Sequence, residues 1–189
     1  MSAFEFLLLL AAIVLGLALT DLAVSVHRLM SARGRVHWDW LAPLAAIVAF
    51  LKILTQWWSW FSAESIASSL TFEMFLVVLV SSLLLFLLAA TALPDDFGEG
   101  AVDLRDHYAL VSRRFWLLFV SQWLLVQAVR IWAGIVINKA HVDLASPVWL
   151  VAPVALSLAF IRNRWWHTVG LLGFVALYLA NGLGHVLTA

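Results

Sequence analysis

Long apolar stretches separated by short polar segments are the feature that most constrains how this chain can fold. A helix that crosses a bilayer needs about 20 mostly apolar residues, and six stretches approach or exceed that length. Inside a bilayer every backbone polar group must be satisfied within the chain, which favours helices. The pattern predicts an all-α, polytopic membrane helix bundle with short loops. Its six transmembrane helices are expected at about residues 3–30, 39–61, 70–93, 114–137, 147–161 and 165–187.

Composition supports a single integral-membrane helical domain over residues 1–189. Hydrophobic residues make up 65% of the chain and charged residues 12%, against about 45–50% and about 25% in soluble proteins. A net charge of zero leaves no basic face for nucleic acid. The first apolar run follows an acid, Glu5, and no base, so we expect it to be retained rather than cleaved as a signal peptide.

The fifth apolar stretch differs from the others in length. It is the shortest of the six, and Pro153 falls inside it. Proline interrupts the hydrogen bonding of a helix interior, so this stretch is expected to form either a kinked span or a half-length span. If Pro153 divides it into a re-entrant hairpin, the C-terminus changes sides.

Basic residues are concentrated in alternate loops. The loops after spans one, three and five hold eight of the eleven Lys and Arg residues, whereas the other two loops hold Glu64 and Lys139. By the positive-inside rule the basic side is cytoplasmic, which puts both termini outside. Tryptophans near the span ends, such as Trp40, Trp58 and Trp165, fit an aromatic belt at the headgroups. The eight basic residues are Arg28, Arg33, Arg35, Arg105, Arg113, Arg114, Arg162 and Arg164.

Three charged residues are expected deep within the predicted spans, away from the span ends: Asp21, Lys52 and Arg130. A charge at the bilayer centre costs roughly 2.5–3.5 kcal/mol or more, so such residues usually face the bundle interior and have a partner. Spans one and two are joined by a short turn and are expected to be antiparallel neighbours. We therefore predict an Asp21–Lys52 pair, direct or through water. Arg28, on the Asp21 face together with Ser25, is the alternative partner.

Further polar residues extend these faces. Gln56 lies one turn beyond Lys52, and span four carries Gln127 and Arg130 on one face. Glu73 is at a matching depth in span three, so we predict an Arg130–Glu73 pair. Such pairs either fix the register of the helices or line a path that binds or moves an ion, proton or solute. A proton relay is physically possible because a buried lysine can lose its proton.

The last span and the acidic loop have simpler interpretations. Tyr178, Asn181 and His185 share a face with small residues, which favours helix packing or an oligomer contact, with a ligand contact at His185 as the alternative. The loop at residues 94–111 is expected to be a solvated acidic linker. Its apolar residues near the C-terminal end are spaced for a short interfacial helix leading into span four.

The sequence contains no pattern for catalysis, a cofactor or a metal. There is no cysteine, which excludes disulfides, thiolate metal sites and a cysteine nucleophile. The acidic loop does not match a calcium-binding loop, and there is no Gly-x-Ser-x-Gly motif. Bis-histidine haem requires two histidines at one depth on facing helices. His27, His37 and His167 are expected near the cytoplasmic surface, but none of them is deep in a span, and His185 is alone near the outer surface. We therefore expect a non-enzymatic protein with no cofactor.

Several strings in the first part of the chain resemble a known group. LGLALTD, HRL, WDWL, QWW and LPDD resemble the pattern of a group of uncharacterised bacterial polytopic inner-membrane proteins. The resemblance covers about residues 14–116. It implies a self-standing, multi-pass protein of a bacterial inner (plasma) membrane, but it implies no activity and no functional residue.

The leading functional expectation is a small transporter or channel-like protein whose buried charges line or gate a path. One alternative is a non-catalytic accessory or scaffold subunit of a larger membrane complex, and another is a sensory or ligand-binding membrane module. The expected partners are the lipid bilayer and either further copies of the chain or the other subunits of a complex. The candidate path residues are Asp21, Ser25, Arg28, Lys52, Gln56, Glu73, Gln127 and Arg130.

Overall fold

The computed structural model describes residues 3–61, 72–95, 101–136 and 147–187. These residues form an all-α fold of six helices, as the hydrophobic pattern predicts. Two short segments, β1 (Val36–His37) and β2 (Val102–Asp103), pair in parallel. The helices are α1 (Ala3–Ser31), α2 (Leu41–Phe61), α3 (Phe72–Ala92), α4 (Leu104–Val136), α5 (Val151–Phe160) and α6 (Arg164–Leu187).

Four of the helices are long and apolar enough to cross a membrane. They cover Glu5–Ser31, Leu41–Trp60, Phe72–Ala92 and Leu104–Trp132. Large apolar side chains cover their outward faces, including Ile13, which is 62% exposed. A soluble monomer rarely exposes an apolar surface of this extent, so length and exposure together indicate a membrane protein.

Helix α4 is longer than the predicted fourth span. It begins at Leu104, and the expected interfacial helix forms its first turns rather than a separate element. Asp103 starts the helix, since its Oδ1 accepts hydrogen bonds from the backbone N–H groups of Arg105 (2.8 Å) and Asp106 (3.3 Å). Leu104 and Tyr108 are buried, so this segment packs into the bundle.

Helix α5 is the shortest of the six helices, but the choice between a kinked and a half-length span stays a prediction, because residues 137–146 lie outside the described part of the chain. It has 10 residues and directly follows a 3-10 turn at Pro147–Leu150. At about 1.5 Å per residue for α5 and about 2.0 Å for the 3-10 turn, the two together are about 23 Å long, against about 30 Å for a hydrocarbon core. Pro153 lies in its first turn, where the missing N–H has no helical partner to lose.

Sequential helices are not always the main neighbours. Helix α1 packs more extensively on α3 than on α2, α3 also packs on α4, and α2 packs on α6. The link from α1 to α2 contains β1, which pairs with β2 just before α4 through Val36–Val102 and His37–Asp103. The link therefore reaches across the end of the bundle instead of returning directly alongside α1.

The three basic loops lie at one end of the bundle, which we call the basic end. The β1–β2 pairing joins the first loop to the third, and an ion pair between Arg164 and Asp39 joins the first loop to the fifth. The Arg164 guanidinium also lies 4.4 Å from the centre of the Trp40 ring, and the indole N–H of Trp40 donates to Thr168 (3.2 Å). Helices α2, α4 and α6 begin at this end.

An aromatic cluster forms the core between α4 and α6. Trp116 and Phe119 are fully buried, and Phe174 contacts both, with ring centroids 5.4 Å and 4.9 Å apart. Phe119 also forms the floor beneath a buried lysine of α2. The aromatic core therefore extends to the middle of the bundle, where Phe119 contacts the buried lysine.

Candidate functional site

A cavity of about 190 Å³ lies between α2, α4, α5 and α6. Four of the eight candidate path residues line it: Lys52, Gln56, Gln127 and Arg130. These residues come from two helices that are far apart in sequence, so the fold brings together side chains that the sequence only marks as buried and polar. The structure therefore identifies this cavity as the candidate functional site.

Helix α2 contributes one polar face to the cavity. Lys52, Thr55, Gln56 and Ser59 follow each other at steps of three, one and three residues, which keeps them on the same side of a helix. The hydroxyl of Thr55 donates to the carbonyl oxygen of Leu51 (3.0 Å), and Ser59 donates to that of Gln56 (2.9 Å). These local bonds let hydroxyl groups lie within an apolar helix.

Lys52 is the charged group at the inner end of the cavity. It is 5% exposed, and its Nζ lies 4.3 Å from the centre of the Phe119 ring. The negative face of an aromatic ring stabilises a cation by about 0.5–2 kcal/mol, which is less than a buried ammonium group loses with its water. Within the described part of the chain, no carboxylate forms an ion pair with Lys52.

A hydrogen-bonded amide network closes one wall of the cavity. The Gln122 Nε2 group, fully buried on α4, donates to Gln56 Oε1 (2.9 Å) and to Ser81 Oγ on α3 (3.1 Å). Gln56 Nε2 in turn donates to Ser59 Oγ (3.1 Å). Such amide bonds hold membrane helices together because lipid offers no competing partner. The network fixes α2, α3 and α4 around the site.

The cavity extends from the middle of the bundle away from the basic end. Gln122 and Arg130 are about 12 Å apart along α4 at about 1.5 Å per residue, and both line it. Arg130 is exposed whereas Gln127 is buried. The 3-10 turn before α5 contributes Val148, and the first residue of α5 contributes Val151.

The predicted pair between Asp21 and Lys52 is not formed. The charged groups that act on Asp21 are Asp95 and Arg28, and none of these residues lines the cavity. The physical reason is helix packing: α1 lies mainly on α3, so Asp21 is close to the end of α3 instead of the middle of α2. Arg28, the alternative partner, is the cation near Asp21.

Asp95 accepts hydrogen bonds from the other two predicted path residues of α1, Ser25 and Arg28. Ser25 Oγ donates to Asp95 Oδ1 (3.2 Å), and Arg28 Nη1 donates to the Asp95 backbone oxygen (2.7 Å). Asp21 Oδ2 is buried and accepts no hydrogen bond among the described residues. These four residues form a second polar group near the basic end, which we call the Asp95 cluster.

The structure describes some of the remaining predicted residues but not all of them. Glu73 lies in the first turn of α3, and the Arg130–Glu73 pair stays a prediction. Tyr178 lines the cavity, although its sequence context favours helix packing. The side chains of Asn181 and His185, together with the loop residues Glu64 and Lys139, lie outside the part of the chain that the structure describes.

Gln122 and Ser81 are the site residues that sequence reasoning missed. Both interrupt strongly apolar runs, so a survey of every amide and hydroxyl group in the predicted spans would have identified them. Two reasons explain the omission of Gln122. A charged residue in an apolar span is a stronger signal than an amide, and Gln122 lies on a different face of α4 from Gln127. Its importance follows from its position opposite Gln56, which only the packing of α2 on α4 reveals.

A second buried network ties α4 to α6 but leaves little bonding capacity for a ligand. His167 Nε2 is 2.9 Å from the carbonyl oxygen of Ile161, which makes it the protonated nitrogen. His167 Nδ1 then accepts from the Tyr108 hydroxyl (2.8 Å), and that hydroxyl accepts from the indole N–H of Trp116 (3.2 Å). Since each group has a partner, this network is structural.

The cavity presents cationic and amide donors beside an apolar wall, an arrangement suited to holding a small solute. No family model, curated protein or solved structure matches the chain.

Proposed function

We propose that the protein is a small transporter or channel-like protein and that the cavity is part of its solute path. The observation that carries this proposal is the buried Lys52 at the inner end of a polar cavity, in a chain with four apolar membrane-length helices. A lysine at this depth is costly, and ionisable residues within membrane spans usually line ion or substrate pathways. The setting that we propose is a bacterial inner (plasma) membrane.

The depth of the cavity supports this role. Lys52 is about 17 Å along α2 from Leu41 at about 1.5 Å per residue, which is close to half of a hydrocarbon core of about 30 Å. Substrate sites of small transporters are commonly near the bilayer midplane. If all six helices cross the membrane and the basic end is cytoplasmic, both termini are outside and the cavity opens outward past Arg130.

The Asp95 cluster supplies a candidate for the inner end of the same path. It contains an acid with a buried, unbonded oxygen, Asp21, beside a cation, Arg28, near the basic end. We propose that Asp21, Ser25 and Arg28 gate the path there, and that Glu73 and Arg130 belong to its outer end. Two polar groups separated by an apolar core are expected of a path that is closed at one end.

Solute entry into proteoliposomes tests the proposal. Light scattering is used to compare the entry of potassium chloride, potassium lactate and erythritol, with valinomycin present to carry the potassium ion. We expect at least one solute to enter faster than it enters protein-free liposomes, and Lys52→Met to remove most of that increase. Arg35→Gln is the matched control, because Arg35 is exposed at the basic end.

Two results contradict this proposal. One is entry at the protein-free rate for all three solutes, and the other is an unchanged rate in Lys52→Met and Arg130→Gln. The second candidate function, an accessory or scaffold subunit, is favoured by the two buried networks that lock α2, α3, α4 and α6 together. It predicts co-purifying partner subunits and no solute entry by the isolated chain.

A further inference from the structure

The charge of the cavity wall favours an anionic ligand. Lys52 and Arg130 are its charged lining residues, and no carboxylate lines it among the described residues. Lys52 is 5% exposed and lies against an aromatic face, and it forms no ion pair among the described residues. A buried cation without a counter-ion retains a large desolvation cost, and a bound anion would offset that cost through a charge-assisted hydrogen bond.

The remaining walls favour an anion with a hydrocarbon part. Gln127 and Tyr178 offer an amide and a hydroxyl group, whereas Val148, Val151 and Leu177 contribute apolar surface. An inorganic anion would leave this apolar wall facing water, whereas a short alkyl chain would bury it. A second carboxylate in place of the alkyl chain would lose this apolar contact with the valines.

The volume of the cavity suits a small ligand. The centres of water-sized molecules can occupy about 190 Å³ of it, whereas one water needs only about 10–15 Å³ of such space. A short aliphatic acid therefore fits in the cavity.

We propose that this cavity binds a small aliphatic monocarboxylate. The carboxylate pairs with the Lys52 ammonium at the inner end, the alkyl chain packs on Val148 and Val151, and Arg130 attracts the anion at the outer mouth. The inference rests on the proposed function for its place in a solute path, but binding itself can be measured without transport.

Tryptophan fluorescence of the purified full chain in detergent tests the proposal, because Trp123 lines the cavity. Sodium propionate is titrated at constant ionic strength and compared with propionamide, its neutral analogue, and with chloride and succinate. We expect saturable propionate binding that is at least about tenfold tighter than binding of the other three. Lys52→Met should weaken it by at least about tenfold and Arg130→Gln by a few fold, because a pair to a buried charge contributes more than one to an exposed charge.

Arg35→Gln should bind propionate as the wild type does. Arg130→Gln keeps the test valid if Lys52→Met does not fold, since Arg130 is exposed. Equal binding of propionate and propionamide, preference for chloride, or wild-type affinity in a folded Lys52→Met protein would each overturn the proposal. Absent propionate binding with measurable chloride or erythritol entry overturns this inference alone. Propionate binding with no solute entry supports the site and contradicts transport.

Discussion

Gln122 is the residue on which the arrangement of the cavity depends most. It is fully buried, and its amide group bonds to residues of two other helices, Gln56 on α2 and Ser81 on α3. In water an amide could exchange these partners for solvent, but inside an apolar bundle a lost donor leaves Gln56 Oε1 without a partner. The residue therefore specifies which faces of three apolar helices meet.

Replacing Gln122 by leucine should destabilise the protein by about 1–2 kcal/mol. The expected measurement is a lower thermal unfolding midpoint in detergent, followed by tryptophan fluorescence. Ser121→Ala is the matched control, since Ser121 is the exposed neighbour on the same helix and should leave the midpoint unchanged. In a Gln56→Leu background, Gln122→Leu should lower the unfolding midpoint by less than it does in the wild type. Fully additive losses would show that the amide bond does not contribute.

Apart from the early start of α4, the bounds of the long helices can be predicted closely from the sequence, but their neighbours cannot. Helix α2 begins two residues after the predicted residue 39 and ends at the predicted residue 61, because apolar length determines the boundaries. In contrast, α1 and α3 are apolar around most of their circumference, so no amphipathic pattern indicates which partner each face contacts. That is why the sequence identifies Lys52 as an interior residue but predicts the wrong neighbouring helix for Asp21.

The short helix α5 depends on a close approach to α6. A Cβ atom on Gly170 would be 2.6 Å from Leu158 Cδ1, and Leu158 is only 1% exposed. In contrast, a Cβ on Gly173 would have no atom within 4 Å. Both glycines lie in α6, but packing requires only Gly170. Gly173 is therefore a matched control for substitutions of Gly170.

Gly170→Ala should lower the thermal midpoint, since overpacking a tight contact costs about 1–3 kcal/mol. Gly173→Ala should leave the midpoint unchanged or raise it, because alanine is favoured over glycine in a helix by up to about 1 kcal/mol. In a Leu158→Ala background the clash is removed, and Gly170→Ala should no longer destabilise. Equal midpoints for the two single variants would contradict the close approach of α5 to α6.

At the scale of the whole molecule, the distribution of charge distinguishes the two ends. The basic end contains the β1–β2 pairing and the Asp39–Arg164 ion pair, while α2 ends at the other side beside the exposed Trp58. The loops of the basic end can be recognised from the sequence because lysine and arginine bias does not depend on packing. The cavity cannot be predicted in this way, because it depends on how packing brings the polar faces of α2 and α4 together.

The orientation of the bundle can be tested directly because the chain contains no cysteine. Single cysteines at Arg35 and Arg162, exposed at the basic end, and at Trp58 are labelled with a membrane-impermeant maleimide. We expect Arg35→Cys and Arg162→Cys to react only in inverted vesicles and Trp58→Cys only in intact spheroplasts. The opposite pattern for all three would reverse the orientation and make the cavity open to the cytoplasm. Labelling of Arg35→Cys and Arg162→Cys from different sides would contradict the shared basic end itself, since the Asp39–Arg164 pair requires both loops on one side.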